Sequence, residues 1–279
     1  MTKILYVNSF NFPDYLNDCI YHGLNHINDL DIETTAKPDY MLKTYENKSS
    51  LYGKGFTICA TLDIVPKVAL DVEQKIKDCY YDFIIFGSIH RDNSYLELAL
   101  KRYSRDKIIC IDGEDHENII EKLVDKVLYF KRELKTFRRD VFPISFSIPE
   151  DKIRTERPSK EKILATVNPT DISTYVFNTE EDYYEDYAKS YYGVTCKKAG
   201  WDCMRHYEIL ANYSVPFFVG IEGCPEATMT NFPKQVVLLV SSYAFKGQIH
   251  PEYDQINSYL NEYTLKYLTT TESARRLLR

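Results

Sequence analysis

The chain has 279 residues, 44% of them hydrophobic and 27% charged, so it is long and apolar enough for one large domain or two of roughly 130 to 150 residues. Its net charge of -6 disfavours a protein that coats nucleic acid regardless of sequence, because such proteins are usually basic. No stretch approaches the roughly 18 apolar residues of a membrane span, and seven cysteines without a CxxC pair favour reduced thiols in a cytoplasmic protein.

The first half of the chain alternates between strand and helix patterns. A short apolar strand at 3–7 is followed by an amphipathic segment whose first residue, Asp14, is a good helix cap. Later strands are almost continuously apolar, which is typical of a parallel sheet covered on both faces. Further strands are predicted at 30–36, 81–88 and 106–113, and helices at 14–27, 72–80, 93–104 and 116–130.

Residues 131–162 are charged and contain three prolines, which indicates a linker with one short strand at Ile144–Phe146. A second alternating set follows, and the chain ends in a long helical pattern. The strands are predicted at 162–167, 193–196 and 215–219, the helices at 180–192, 202–212 and 251–278, and either state at 235–240. The predicted domains are 1–145, 146–250 and a terminal helix, 251–279, that packs back on the first domain.

The segment KKAGWDCMRHYEI, residues 197–209, crowds charges around the only tryptophan of the chain. Asp202 is a suitable cap for a helix on which Arg205 and Glu208 share a face. A helix start with Arg and two preceding Lys suits a diphosphate, and a carboxylate one turn deeper suits a ribose diol. The alternative is a surface ion pair between the arginine and the glutamate, worth a few tenths of a kcal/mol.

The continuation RHYEILANYSVPFF, residues 205–218, resembles the nucleotide-binding segment of GT-B glycosyltransferases, in which a helix with a ribose-binding Glu leads to a strand containing Pro. The pattern R-x-x-E-x-x-A-x-x-x-x-P is nearest to the spore-maturation-type and phage or viral branch. FGSIHR and IDGEDH in the first half are also similar to that branch. The resemblance implies an α/β, GT-B-like fold: two Rossmann-like domains whose parallel sheets face a cleft, with the donor bound by the second.

By this resemblance Glu208 binds ribose, while Arg205 and Lys197 or Lys198 hold the diphosphate and stabilise the leaving group. Many retaining members carry a second Glu eight positions earlier, where this chain has Gly200, so retention and inversion both stay open. The expected donor-binding residues are Lys197, Lys198, Gly200, Trp201, Arg205, His206 and Glu208.

The loops after two predicted strands supply candidates for the base that removes the acceptor's hydroxyl proton. His90 lies in one such loop and is either this base or an ordinary residue capping the next helix. Asp112 or Glu114, in the loop after the next strand, is the alternative base or binds acceptor hydroxyls. Asp115 is expected to cap the following helix. The acceptor-side residues are Asn11, Phe12, Ser88 and Arg91.

The function that the resemblance implies is a hexosyl- or pentosyltransferase that needs neither a metal nor another cofactor. Its donor would be a nucleotide-diphosphate sugar carrying UDP or GDP, and its acceptor a glycan, a small molecule, a protein or modified DNA. Two alternatives stay open: a phage-type enzyme that glycosylates a hydroxymethylated base, and a non-catalytic nucleotide-sugar-binding module. A basic strip formed by Arg132, Arg138, Arg139 and the C-terminal arginines would suit a polyanionic acceptor, although such runs are usually solvated.

Overall fold

The computed structural model describes residues 1–279 and contains two parallel sheets. The larger sheet has seven strands in the order β3-β2-β1-β4-β5-β6-β7, all paired in parallel. This sheet and its helices are called the first unit. Its strands are β1 (Thr2–Val7), β2 (Leu30–Thr34), β3 (Lys67–Val68), β4 (Phe83–Phe86), β5 (Ile108–Asp112), β6 (Leu128–Lys131) and β7 (Val141–Pro143).

Both faces of the first sheet are buried, because alternate residues of each apolar strand point to opposite sides. On one face Ile4 and Ile109 pack with helix α1 (Tyr15–Leu24), and on the other Leu5 and Ile108 pack near α2 (Val72–Lys77) and α3 (Leu96–Arg102). The Asp14 side chain accepts a hydrogen bond from the backbone N–H of Asn17, which confirms the predicted cap of α1.

The smaller sheet belongs to the second unit and has the strand order β10-β9-β8. Its strands are β8 (Lys162–Leu164), β9 (Ser190–Cys196) and β10 (Val215–Val219), and its helices are α4 (Glu180–Ala188), α5 (Met204–Ala211) and α6 (Lys234–Ala244). The predicted α/β architecture with two parallel sheets is confirmed. The segment at 235–240, whose sequence fits either a strand or a helix, belongs to α6.

The chain ends in two helices where the sequence predicts one: α7 (Tyr253–Tyr267) and α8 (Thr270–Leu277). Helix α7 packs on α5 of the second unit, and α8 packs on α1 of the first. A Cβ at Gly23 would come within 2.0 Å of the Thr270 carbonyl oxygen, so a glycine is needed for this close approach. No helix has both the length and the apolar character that crossing a membrane requires.

Two predicted elements are wrong. The segment predicted as a helix at 116–130 consists of bends and turns as far as Val127 and then enters β6, although Leu123 and Val127 are buried as its apolar spacing indicates. Side chains compete for the backbone groups that a helix would use: Tyr129 Oη accepts from Ile120 N–H, and Arg105 Nη2 donates to Val124 O. The short strand predicted at 144–146 lies three residues earlier, as β7.

Candidate functional site

Asp112, the last residue of β5, is the centre of a buried polar cluster at the carboxyl edge of the first sheet. Its carboxylate accepts from Lys131 Nζ at 2.7 Å and from the Tyr129 hydroxyl, and neither Asp112 nor Lys131 is exposed. Burial alone would raise the pKa of Asp112, but the hydrogen bonds from Lys131 and Tyr129 and the lysine charge outweigh burial and hold it below the usual value. Asp112 is therefore an ionised, fixed carboxylate and a poor proton acceptor.

His90 lies beside this carboxylate, with Nε2 3.1 Å from Asp112 Oδ2, and its side chain is 31% exposed. A carboxylate at one ring nitrogen fixes the imidazole orientation and tautomer, so that the other nitrogen is free to accept a proton. The pair has the geometry of a general base, His90, and a residue that positions it, Asp112. Glu114 differs from both, because its backbone N–H donates to Asp112 Oδ1 at 3.1 Å and its half-buried carboxylate has no such partner.

The acceptor-side candidates lie at the rim of the same edge. The Arg91 guanidinium stacks 4.5 Å from the Phe12 ring and pairs with Asp14, Nε to Oδ2 at 3.2 Å. Ser88 is buried and its carbonyl accepts from Arg91 N–H at 3.0 Å, while Asn11 is exposed. Phe12 and Arg91 therefore form one side of the rim, and Ser88 supports the turn beneath it.

Arg132 connects the first unit to the loop that precedes α5. Only 2% of its side chain is exposed; Nε donates to Gly113 O at 3.0 Å and Nη1 to Asp202 O at 2.7 Å. Its Nη2 pairs with the Asp115 carboxylate. The prediction that Asp115 caps a helix is wrong, because no helix follows it before β6. Two members of the predicted basic strip are engaged inside the protein, since Arg132 is buried and Arg138 is paired with two carboxylates.

Glu133 fixes the start of the predicted donor-binding segment. Its carboxylate accepts from the backbone N–H groups of Trp201 and Asp202, both at 3.0 Å. A Cβ at Gly200 would come within 2.5 Å of Glu133 Oε1, so Gly200 lets this carboxylate approach. These two N–H groups, at the start of the expected diphosphate site, are satisfied by the protein itself.

Asp202 is not the N-cap that the sequence predicts, because α5 begins at Met204 after Cys203. The Asp202 carboxylate accepts from Phe146 N–H at 2.7 Å and from the Tyr207 hydroxyl at 2.9 Å. Its two oxygens are used by the junction between the units, so neither reaches the first turn of the helix.

Arg205, in the first turn of α5, is a half-buried cation with unused hydrogen-bond donors. Its Nη2 donates to the Tyr175 hydroxyl at 2.8 Å, while Nε and Nη1 are buried without a hydrogen-bond partner. A guanidinium is always charged in proteins, and a buried donor without an acceptor costs free energy. Nε–H and the two N–H groups of Nη1 therefore have no acceptor in the protein and are suited to an anionic ligand such as a phosphate group.

Glu208 lies one turn further and is 7% exposed. Its Oε2 accepts from the Tyr183 hydroxyl at 2.7 Å, and its Oε1 accepts from the Thr57 hydroxyl, which belongs to the first unit. Burial raises the pKa of Glu208, although the hydrogen bonds from Thr57 and Tyr183 oppose that rise. The carboxylate is therefore arranged to accept from two hydroxyl groups at once.

The other donor-side candidates have different surroundings. His206 is fully buried, with Nδ1 2.9 Å from Thr195 Oγ1 and Nε2 2.9 Å from Trp201 O, and burial lowers its pKa to about 3. It holds the loop in place as a neutral ring. Lys197 lies 5.1 Å from the Trp201 ring centroid, and Lys198 Nζ donates to a backbone carbonyl. Both lysines are exposed at the loop surface.

The structure thus groups the candidates into two clusters, His90 with Asp112 on the first unit and Arg205 with Glu208 on the second, with Arg132 between their supporting loops. Sequence reasoning missed several residues that directly follow or belong to β6. The fragment LYFKRE ends a strand, so its charged residues belong at the same sheet edge as His90, and this signal was sufficient to find them. The missed residues there are Tyr129, Lys131 and Glu133, and Arg132 was assigned to a basic strip instead. Thr57 and Tyr183 were also missed, and they lie outside this strand, where no local signal marks them.

No protein-family model matches the chain, and a search of curated proteins gives no match. Among solved structures, the chain is similar to the crystal structure of Acinetobacter baumannii MurG. The two share 9% sequence identity with a TM-score of 0.45, over 99% of this chain and 98% of that one. A likeness of this size does not bear on the activity of this protein. No group of three or more His, Cys, Asp or Glu side chains is arranged to hold a metal ion.

Proposed function

We propose that this protein is a glycosyltransferase that moves a sugar from a nucleotide-diphosphate sugar to a hydroxyl acceptor. The observation that carries the proposal is Arg205, a half-buried side chain at the start of α5 whose Nε and Nη1 are buried without a hydrogen-bond partner. One turn along the same helix, Glu208 accepts from two hydroxyl groups. A phosphate receptor followed by a diol receptor matches the diphosphate and ribose of a nucleotide.

The same residues lie in the segment that resembles the nucleotide-binding helix of GT-B glycosyltransferases, RHYEILANYSVPFF. In such a transfer negative charge develops on the diphosphate as its bond to the sugar breaks. A charged guanidinium fixed by burial stabilises that charge without having to reorganise. Arg205 is therefore proposed to act on the leaving group, and Glu208 to hold the ribose.

On the first unit, His90 is proposed as the base. As the acceptor oxygen attacks the anomeric carbon, its proton passes to His90 Nδ1, while Nε2 stays beside Asp112 Oδ2. Asp112 acts through His90 as a positioning residue. Phe12 and Arg91 at the rim are proposed to contact the acceptor, since an aromatic face and a guanidinium both suit sugar rings or their anionic substituents.

We propose that the transfer needs no metal, because Arg205 supplies the positive charge at the leaving group. UDP- and GDP-sugars are the proposed donors. Activity that survives EDTA would agree with this assignment, and activity restored only by added Mg²⁺ or Mn²⁺ would contradict it.

The test measures thermal stabilisation and calorimetric binding with UDP, GDP, dTDP, ADP, CMP and their sugars. We expect at least one nucleoside diphosphate to bind to the wild type. Arg205→Ala should weaken that binding by roughly 100-fold, since two charge-assisted hydrogen bonds are lost. Arg205→Lys should recover only part of it, because a single ammonium group cannot replace donors at both Nε and Nη1.

His90→Gln provides the matched control for catalysis. It should leave nucleotide binding unchanged and lower turnover by about 100-fold or more, as expected for loss of a general base. If no nucleotide or nucleotide sugar binds, the proposal is wrong. If a donor binds but is neither hydrolysed nor transferred to any acceptor, the protein is a binding module.

A further inference from the structure

The ribose-binding carboxylate proposed above is already occupied by a loop of the other unit. This crossing loop, residues 52–57, leaves the first unit and packs on α4 and α5 of the second. Its last residue, Thr57, is 1% exposed and donates its hydroxyl to Glu208 Oε1. The Tyr183 hydroxyl donates to Glu208 Oε2 at 2.7 Å, so the two hydroxyl groups together satisfy the carboxylate as a ribose diol would.

Contacts along its length hold the crossing loop in this position. The Thr57 N–H donates to Glu180 Oε1 at 2.5 Å, and the Thr57 hydroxyl lies 2.7 Å from the Tyr184 hydroxyl. The Phe56 ring stacks on Tyr183 with centroids 5.6 Å apart. At the other end, Lys54 Nζ bonds to Phe177 O and, at 2.9 Å, to the Asn178 side chain.

The backbone of the crossing loop is unfavourable for the residues that it contains. Lys54 has φ of 56° and Thr57 has φ of 74°, and both lie in the left-handed region. A β-branched residue such as Thr rarely adopts this conformation, because its side chain crowds the backbone. The contacts to the second unit keep the loop in this strained conformation. When they are released, the loop can relax to a more favourable backbone conformation.

We infer that the crossing loop is an autoinhibitory latch, in which the Thr57 hydroxyl imitates a ribose hydroxyl and has to leave Glu208 before a nucleotide can bind there. This inference rests on the proposed function, because it assumes that Glu208 receives the ribose. It goes beyond that function by making donor affinity depend on a residue of the first unit. The nucleotide and the loop compete for one carboxylate oxygen.

The test compares binding of UDP and GDP to the wild type, Thr57→Val and Lys54→Met. Thr57→Val keeps the β-branched shape but removes the competing hydroxyl, so we expect roughly ten-fold tighter binding, as for loss of one hydrogen bond to a charged group. Lys54→Met releases the other end of the loop and should also tighten binding. Thr61→Val is the matched control, since the Thr61 hydroxyl bonds to Ile58 O within its own segment, and it should leave affinity unchanged.

Hydrogen exchange supplies a second measurement. When the nucleotide binds, exchange should become faster in residues 53–60, where the Thr57 N–H loses its carboxylate partner, and slower in residues 203–209. If a nucleotide binds but Thr57→Val does not bind more tightly, or if both peptides become protected, the latch is refuted while the proposed function stands. If Thr57→Val and the wild type both fail to bind any nucleotide, the proposed function falls with it.

Discussion

The buried pair of Lys131 and Asp112 gives the sharpest quantitative prediction. Neither side chain is exposed, and Nζ lies 2.7 Å from Oδ1. Lys131→Met leaves an unpaired carboxylate and Asp112→Asn an unpaired ammonium, so each should cost about 3 to 5 kcal/mol of unfolding free energy. The double variant buries neither charge. The double variant should therefore lose much less unfolding free energy than the two single variants lose together, which gives a coupling energy of about 2 kcal/mol or more.

The assay is urea unfolding followed by the fluorescence of Trp201, the only tryptophan, and by circular dichroism to test whether both signals report one transition. The control cycle uses Glu73 and Lys77, an exposed pair on α2, whose coupling energy should be far smaller because water screens both charges. If the two cycles give equal coupling energies, Lys131 and Asp112 are not a buried pair, and Lys131 does not hold Asp112 ionised beside His90.

The same pair has a definite pH dependence. The pKa of Asp112 lies below its usual value in the folded protein, chiefly because Lys131 and Tyr129 overcome the effect of burial. A depressed carboxyl pKa contributes stability above about pH 4, the unfolded value, and that contribution is lost as the pH falls through the folded pKa. Lys131→Met should therefore reduce the loss of stability seen on acidification below about pH 4.

Burial lowers the pKa of both His206 and His22 to about 3, so below about pH 6.5 the unfolded chain binds more protons than the folded protein. Lowering the pH from 7.5 to 5 should therefore reduce the free energy of unfolding by about 2 kcal/mol for each histidine. Other groups titrate in this range, so the measured quantity is the stability gap between wild type and His206→Gln. This gap should narrow by that amount, and a constant gap would contradict a neutral His206. Gly200→Ala should destabilise by about 1 to 3 kcal/mol in thermal or urea unfolding, because the new Cβ would press on Glu133. Gly113→Ala, whose Cβ would meet Leu16 at an ordinary 3.4 Å, should be nearly neutral, and equal costs for the two would refute the steric argument.

Much of the fold can be predicted from sequence because local patterns record it. Continuous apolar runs mark β4 and β5 as strands buried on both faces, and Asp14 marks the start of α1. The rule that loops follow the carboxyl ends of strands places His90 and Asp112 at one sheet edge, where the structure has them 3.1 Å apart. At 116–130 the apolar spacing correctly predicts which residues are buried, but it does not predict the conformation of the backbone that connects them.

The candidate site depends on contacts that sequence spacing does not contain. The helical spacing of Arg205 and Glu208 fits a surface ion pair and a nucleotide site, and spacing alone favours the ion pair. Their tertiary partners distinguish the two. In the fold, Arg205 donates to Tyr175 and keeps two nitrogens without an acceptor, while Glu208 accepts from Thr57, 151 residues away in the chain. Such partners are set by how the two units pack, which no local pattern encodes.

The sequence by itself determines the alternation of strands and helices and the positions of most charged loops, because apolar spacing and helix capping involve residues that are close together in the chain. The tertiary structure decides which charges are buried and with what partners. Glu133 satisfies the N–H groups before α5, and Asp112 is held by Lys131. The physical reason is that a buried charge requires a partner within about 3 Å, and in this fold those partners come from distant parts of the chain.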